Sequence, residues 1–366
     1  MLGGVDVAVV GGGLIGMATA RELARRGLGV TVFERATKLG AGQSGHSSNV
    51  IHSGAFYAPG SLKARLAVRG REALESFIGS NGLPFRRVGK LVVRQRGEGD
   101  LFDGLALRAS ANGVHAEILD AGALAEFEPA VRGERALWLP TVAVTDFVAV
   151  LGALTEEVAL AGGDVMMGAH AVIESGRLIA NDRAVEARHI VVAAGIGFNA
   201  LCPDREWRIV GFRGAYRGLV APCVERLVYA VPDPRYPFLG VHVTPSVDGS
   251  TTVGPTATVY PPVSPGRTLA LAVRNWRAGF EEIGVRVSSS LMERRVRCYL
   301  PDAVVGREIV KSGVRAQAVD RRGRYADDFV IVREPGITFV ANAPSPAATA
   351  CLAIGEHIVD EVVKER

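Results

Sequence analysis

Hydrophobic and polar positions along the chain alternate between two periods, and their order predicts the architecture. Val7 to Val10 form an uninterrupted apolar, partly β-branched run, as in a parallel strand buried on both faces. After a glycine-rich turn the spacing becomes helical from Leu14 to about Arg26, with Ala20 and Leu23 on the inward side. Gly27 stands where a helix C-cap belongs. Val30 to Phe33 make a second apolar strand, closed by Glu34.

Downstream, a loop rich in Gly, Ser and His runs from Ala36 to Asn49, followed by the strand-like Val50-Ile51-His52 and the turn Ala58-Pro59-Gly60. Ser61 is expected to cap a helix reaching about Ser80. The segment Leu83 to about Val144 has another character, with a short strand (Lys90 to Arg94) and a helix (about Leu101 to Asn112). Thr145 or Asp146 is expected to cap a helix to about Ala161, and Asp164 to Met167 reads as a strand. Val172 to Ile190 alternates like a β-meander, and Ile190 to Gly195 reads as a buried strand rejoining the first sheet. Ile209 to about Gly254 suits an antiparallel substrate-side sheet. One helix is expected near Leu269 to Glu282, a strand pattern returning at Val314, and a strand from Ile337 to Val340. Ser345 as N-cap with Pro346 at the first helical position predicts a helix to about Lys364.

The expected fold class is therefore α/β (α+β). A Rossmann-like domain with a parallel sheet and β-meander is assembled from residues 1–82, 145–208 and 313–366. A substrate domain with a mainly antiparallel sheet is assembled from 83–144 and 209–312.

Composition adds little to that picture but narrows the function classes. The chain of 366 residues is 48% hydrophobic and 22% charged, an ordinary globular balance. A net charge of +4 with scattered arginines does not suggest nucleic acid. A local basic excess from Arg294 to Arg324 reads as a solvated face or as a patch for peripheral contact with acidic headgroups. Cys202, Cys223, Cys298 and Cys351 are far apart, which suggests neither a zinc site nor a disulfide framework. No apolar run reaches transmembrane length and no basic n-region precedes Val7, so the expected compartment is the cytoplasm, with peripheral contact at the inner face of a membrane left open.

The chemistry begins at the first turn. Gly11, Gly13 and Gly16 stand in G-x-G-x-x-G spacing between a strand and a helix, with Glu34 at the end of the next strand. Such a turn receives a pyrophosphate at a helix N-terminus, and the acid accepts from a ribose 2′-hydroxyl. The unit specifies an ADP moiety without choosing between FAD and NAD. The discontinuous domain favours a flavoprotein.

Longer stretches carry a family resemblance. GHSSNVIHSGAFYAPGSLKARL (Gly45 to Leu66), GKLVV (Gly89 to Val93), FRGAY (Phe212 to Tyr216), YAVPDPRYPFLGVHVTP (Tyr229 to Pro245), GVRAQAVDRRG (Gly313 to Gly323) and NAPSPAATA (Asn342 to Ala350) are similar to segments of the D-amino-acid-oxidase-like FAD-dependent oxidoreductases. Within that superfamily the stretches resemble the L-2-hydroxyglutarate oxidase/dehydrogenase family. The segment Thr256 to Gly313 looks shorter than in that family.

The resemblance implies FAD as cofactor, oxidation of a 2-hydroxy dicarboxylic acid, and oxygen or a quinone as electron acceptor. It implies that Gly11, Gly13, Leu14, Ile15, Gly16, Glu34 and Arg35 hold the ADP half. Gln43, Ser44, Gly45, His46 and Ser47 would follow the pyrophosphate and ribityl chain. Val172 would grip the adenine, and Ala194 and Gly195 would meet the flavin. Pro344, Ser345, Pro346 and Ala347 would present a helix start to the flavin edge. Arg315 is the choice for the substrate carboxylate, because guanidinium binds it bidentately. Arg213, Lys90 and Tyr57 are further substrate candidates. His52 and His242 are the candidates for the base, with an apparent pKa expected near the usual histidine value of about 6.5. Two other readings stay open: an amine oxidase of the glycine or sarcosine type, and a non-catalytic FAD-binding subunit of an electron-transfer complex.

Overall fold

The computed structural model describes residues 2–202, 206–232, 240–260 and 288–364. The helix expected near Leu269 to Glu282 lies outside the described residues.

The opening pattern folds as its periods dictate. The strand Leu2–Val10 lies parallel to Val30–Glu34 on one side and to Arg183–Val192 on the other. The helix Leu14–Arg25 crosses between the first two, and Gly27 follows it at φ +77°. Asp164–Met167 extends the sheet beyond Val30–Glu34. The meander Ala171–Glu174, Arg177–Ala180 and Arg183–Val192 extends it on the other side. The strand Ile337–Asn342 pairs parallel with the end of Arg183–Val192 and carries Val330–Glu334 antiparallel.

One face of this sheet is covered by the helices Leu14–Arg25, Phe147–Leu160 and Cys351–Lys364. Val9, Met17, Leu23, Leu154 and Ile358 are fully buried in that core, each contributing about 1.5–3 kcal/mol by leaving water. The helix containing Gly355 packs so close to the first helix that a Cβ there would stand 2.7 Å from the Ala18 carbonyl carbon. Of the two candidate caps for Phe147–Leu160, Asp146 is the one used, accepting from the Val148 N–H at 2.8 Å. Ser61 caps Leu62–Ser80 through the Ala64 N–H at 3.1 Å.

A second, mixed sheet runs in the order Thr258–Tyr260, Arg208–Ala221, Thr251–Gly254, His242–Pro245, Leu227–Ala230, Lys90–Arg94, Arg135–Leu139, Glu117–Asp120. Its pairs are antiparallel except where Leu227–Ala230 runs parallel to Lys90–Arg94. The long strand Val304–Val319 pairs along most of Arg208–Ala221. This strand starts ten residues before the expected return at Val314, and the expected domain boundary at 313 falls inside it.

A second correction concerns the C-terminal helix. It begins at Cys351, and residues 345–350 form turns closed by Ala347 N–H to Pro344 O at 2.9 Å and Ala350 N–H to Pro346 O at 3.0 Å. Ser345 is therefore not its N-cap, because the Ser345 hydroxyl turns to a side chain, as described below. Among the described residues, no helix is long and apolar enough to cross a membrane.

Candidate active site

A cavity of about 1380 Å³ runs from the first glycine turn to the second sheet. Its first end is built by the βαβ unit. Gly11 sits at φ +111°, where a Cβ would press on the Ala193 carbonyl at 2.5 Å, and a Cβ on Gly16 would collide with the Gly11 carbonyl. Only glycine satisfies either position. Gly13, the residue before the helix, opens toward the cavity, and a Cβ there would meet only the Ser44 Oγ at 3.0 Å. Ser44 Oγ itself accepts from the Leu14 N–H at 3.0 Å.

Glu34 accepts from the N–H groups of Gly12 and Ala36, both at 2.7 Å. A carboxylate has about four lone-pair sites, so each oxygen can still accept from a ribose hydroxyl. Leu14, Ile15, Arg35 and Val172 complete this end of the wall. Gly45 and Gly16 do not line it. They act by close packing, Gly45 against Gly40 and Gly16 against Gly11.

The middle of the cavity is walled by the short helix Gln43–His46, by Ser47, by Ala194-Gly195 and by residues 344–347. Gln43 Oε1 accepts from the Ile196 N–H at 2.8 Å, tying the loop to the end of the buried strand. His46 bonds the Gly42 carbonyl through Nδ1 at 2.8 Å. Its backbone lies so close to Gly313 that a Cβ on Gly313 would stand 2.5 Å from the His46 carbonyl.

Toward the far end stand the candidates for substrate binding and for the base. Arg315 stands opposite Phe212 in the strand register, and Phe212, Gly214 and Tyr216 all line the cavity. Arg213, between them, faces the other way by the two-residue period of a strand. It stacks on Tyr260, 4.7 Å from the ring centroid, and does not line the cavity; of the four substrate candidates only Arg315 lines it, Lys90 being buried and Tyr57 half-buried away from it. Lys90 is only 3% exposed and lies 3.8 Å from the Tyr229 centroid and 4.2 Å from that of Phe56. Burial pushes its ammonium down to about 7.

The two histidines differ. His242 stacks on Tyr229, centroids 3.9 Å apart and 11° from parallel, and donates Nδ1–H to the Gly240 carbonyl at 2.8 Å. Its Nε2 is buried, with no hydrogen-bond partner among the described residues. His52 is enclosed by protein but lines the cavity, with its backbone N–H on the Thr349 hydroxyl at 3.0 Å and Nε2 at 3.4 Å from Ser345 Oγ. Burial, then the Lys90, His242 and Arg315 charges, push His52 down to about 3, and burial leads in pushing His242 to about 3. The expected value near 6.5 is corrected accordingly.

Tyr57, Tyr216 and Tyr229 gather around Arg315. Burial raises all three phenols, Tyr216 to about 12, while the guanidinium draws them back. Sequence reasoning overlooked Tyr216 and Tyr229 as site residues. The alternation Phe212-x-Gly214-x-Tyr216 was the available signal, once Arg315 was set opposite Phe212. Among the described residues, no cluster of His, Cys, Asp or Glu could hold a metal ion.

The cavity suits FAD on its own terms. Its length runs from a ribose acceptor, past glycines that leave room for a pyrophosphate, to a pocket of aromatic and cationic groups. The comparisons agree. L-2-hydroxyglutarate dehydrogenase of Nematostella vectensis is 35% identical over 98% of this chain and 90% of its own, in an alignment longer than the chain itself, so that relative carries residues this chain lacks. The protein of the same name from Salmonella houtenae is 35% identical over 98% and 93%. Among solved structures, L-alpha-glycerophosphate oxidase of Mycoplasma pneumoniae with FAD bound superposes with a TM-score of 0.78 at 21% identity, covering 98% of this chain and 94% of that one. Glycine oxidase of Geobacillus kaustophilus gives 0.76 at 20% identity, covering 99% and 95%. The family model of FAD dependent oxidoreductases, DAO, matches residues 6–361, and with relatives at this identity over nearly its whole length the chain belongs to that family and takes FAD as its cofactor.

Proposed function

We propose that this enzyme oxidises L-2-hydroxyglutarate to 2-oxoglutarate. The observation that carries the reading is the far end of the cavity: a guanidinium, Arg315, and a half-open imidazole, His52, share one wall, with a buried ammonium, Lys90, close behind it. The names of the relatives at 32–35% identity support the same substrate.

FAD, when bound, supplies the two-electron acceptor for the C2 hydrogen. The chain's own residues do the rest. Arg315 binds the C1 carboxylate through two parallel N–H bonds and fixes which face of C2 is presented. His52, neutral at physiological pH, takes the hydroxyl proton, without which the alcohol cannot become a carbonyl. The three tyrosines exclude water around Arg315.

Anaerobic flavin reduction tests the reading. L-2-Hydroxyglutarate should bleach the flavin, and glycine or sarcosine should not. Comparable rates with glycine or sarcosine would overturn the assignment. Arg315→Lys keeps the charge but loses the bidentate fork, and kcat/KM should fall several-fold to a few hundred-fold, on the order of 1–3 kcal/mol.

A further inference from the structure

The strand that carries Arg315 is gripped from outside its own sheet. Along one edge Val304–Val319 pairs with Arg208–Ala221. On the other edge both main-chain groups of Ala318 have partners from elsewhere. Its N–H donates to Asn342 Oδ1 at 2.8 Å, and its carbonyl accepts from the Ala326 N–H at 3.0 Å. Asn342 Nδ2 closes this ring by donating to the Ala326 carbonyl at 3.0 Å, and also donates to the Asp328 carbonyl at 2.7 Å. These partners fix which way the amide faces, since an N–H only donates and a carbonyl only accepts. The Asp328 carboxylate in turn accepts from the N–H groups of Leu62 and Lys63, at 2.9 and 2.7 Å, where the helix Leu62–Ser80 begins. Asn199 grips Ile209, the residue paired with Ala318, donating to its carbonyl at 2.7 Å and accepting from its N–H at 2.8 Å. Asn342 itself is 1% exposed and ends the strand Ile337–Asn342, just before the Ala343-Pro344 wall of the cavity.

We propose that Asn342 is a positioning residue for Arg315, its amide joining the flavin-binding sheet to the strand that carries the substrate guanidinium. This role rests on Arg315 holding the substrate carboxylate, as proposed above. Arg315 stands between two contacts with the FAD-binding part of the chain. Two residues before it, Gly313 lies against the His46 backbone, and three residues after it, Ala318 is held by Asn342. At about 3.3 Å per residue the second contact is about 10 Å away along the strand. His46 and Asn342 both line the cavity, so the walls that receive FAD also fix where the guanidinium stands. Oxidation requires the C2 hydrogen to face the flavin while the carboxylate sits on Arg315, and a misplacement of about 1 Å costs on the order of 10²-fold. An amide suits the joint because one group must both accept from a strand N–H and donate to two carbonyls. Alanine at 342 deletes all three bonds and frees the strand beyond Arg315 without touching the guanidinium.

Four FAD-loaded proteins test the role: wild type, Asn342→Ala, Arg315→Lys and the double variant. In stopped flow, Asn342→Ala should slow flavin reduction by L-2-hydroxyglutarate roughly 10- to 100-fold, with FAD affinity within about threefold of wild type. In the Arg315→Lys background the same substitution should cost less than about threefold, because groups that act as a unit are not additive. Losses that multiply in the double variant overturn the proposal. So does a fall in FAD affinity as large as the fall in rate, or a rate within about twofold of wild type. A measurement on the wild-type enzyme covers an Asn342→Ala that does not fold. Binding of 2-oxoglutarate should slow hydrogen exchange at the Ala318 amide at least about tenfold, and unchanged exchange overturns the coupling. If 2-oxoglutarate leaves the wild-type flavin spectrum unaltered, the substrate reading fails instead, and the exchange is measured with methoxyacetate, a carboxylate of sarcosine size. Methoxyacetate bound without slowed exchange at Ala318 overturns the positioning role, and so does failure of both carboxylates to bind, since Arg315 then holds none.

Discussion

Gly13→Val should purify folded and colourless. Gly13 stands just before the helix Leu14–Arg25 with open cavity beside it, so an added Cβ meets only Ser44 Oγ at 3.0 Å, and the branched side chain takes the space a pyrophosphate needs. The helix gains no clash with its own strand. FAD affinity should therefore fall by roughly 10²-fold or more, about 2.8 kcal/mol at about 1.4 kcal/mol per tenfold, with the circular-dichroism melt of the apoprotein little changed. Gly16→Val is the contrast. Its Cβ would strike the Gly11 carbonyl, so the helix must lift from the strand and both FAD and the melt should be lost. Retention of full flavin occupancy in Gly13→Val would mean that the pyrophosphate lies elsewhere.

The same contrast explains what was legible in the sequence. Positions governed by a local steric rule were readable. Gly11, Gly16 and Gly27, the strand–helix–strand around them, and the meander of Ala171–Glu174 through Arg183–Val192 follow from periods and turns alone. What depended on which face of a distant strand a side chain takes was not readable. Arg213 and Arg315 sit in paired strands, yet the period of two puts Arg213 on Tyr260 and Arg315 in the cavity. The Ser345-Pro346 pair had the local signature of a helix start, but tertiary contacts override it. Ala350 packs onto Gly70, where a Cβ would stand 2.6 Å from the Ala350 Cα, and the helix waits until Cys351. The histidine pKa values were equally out of reach, because they arise first from burial that a single segment does not reveal, and then from Lys90, on a strand of the second sheet.

Those shifted values set the pH behaviour expected of His52→Ala. The wild-type imidazole is pushed down to about 3, below its ordinary 6.5, so it is protonated only below about 3 and neutral above. Because kcat/KM reports the free enzyme, the profile should show no acid limb from this group between about pH 5 and 8. On the alkaline side Lys90, pushed down to about 7, loses its charge as the pH rises through that value, so kcat/KM for a dianionic substrate should decline there. His52→Ala should leave FAD bound and slow its reduction by roughly 10²–10⁴-fold across the range, the usual contribution of a positioned base. The alkaline decline should persist in the variant, since Lys90 remains. His242→Ala should cost far less in the reduction step. Its Nδ1 is spent on the Gly240 carbonyl, its Nε2 is buried without a partner among the described residues, and its ring stacks on Tyr229 outside the cavity lining. Stopped-flow reduction of both variants across pH decides the matter. A larger loss in His242→Ala would reverse the two roles. A loss under about tenfold in both would remove histidine as the base, leaving Tyr57, whose phenol burial raises, as the group to replace next.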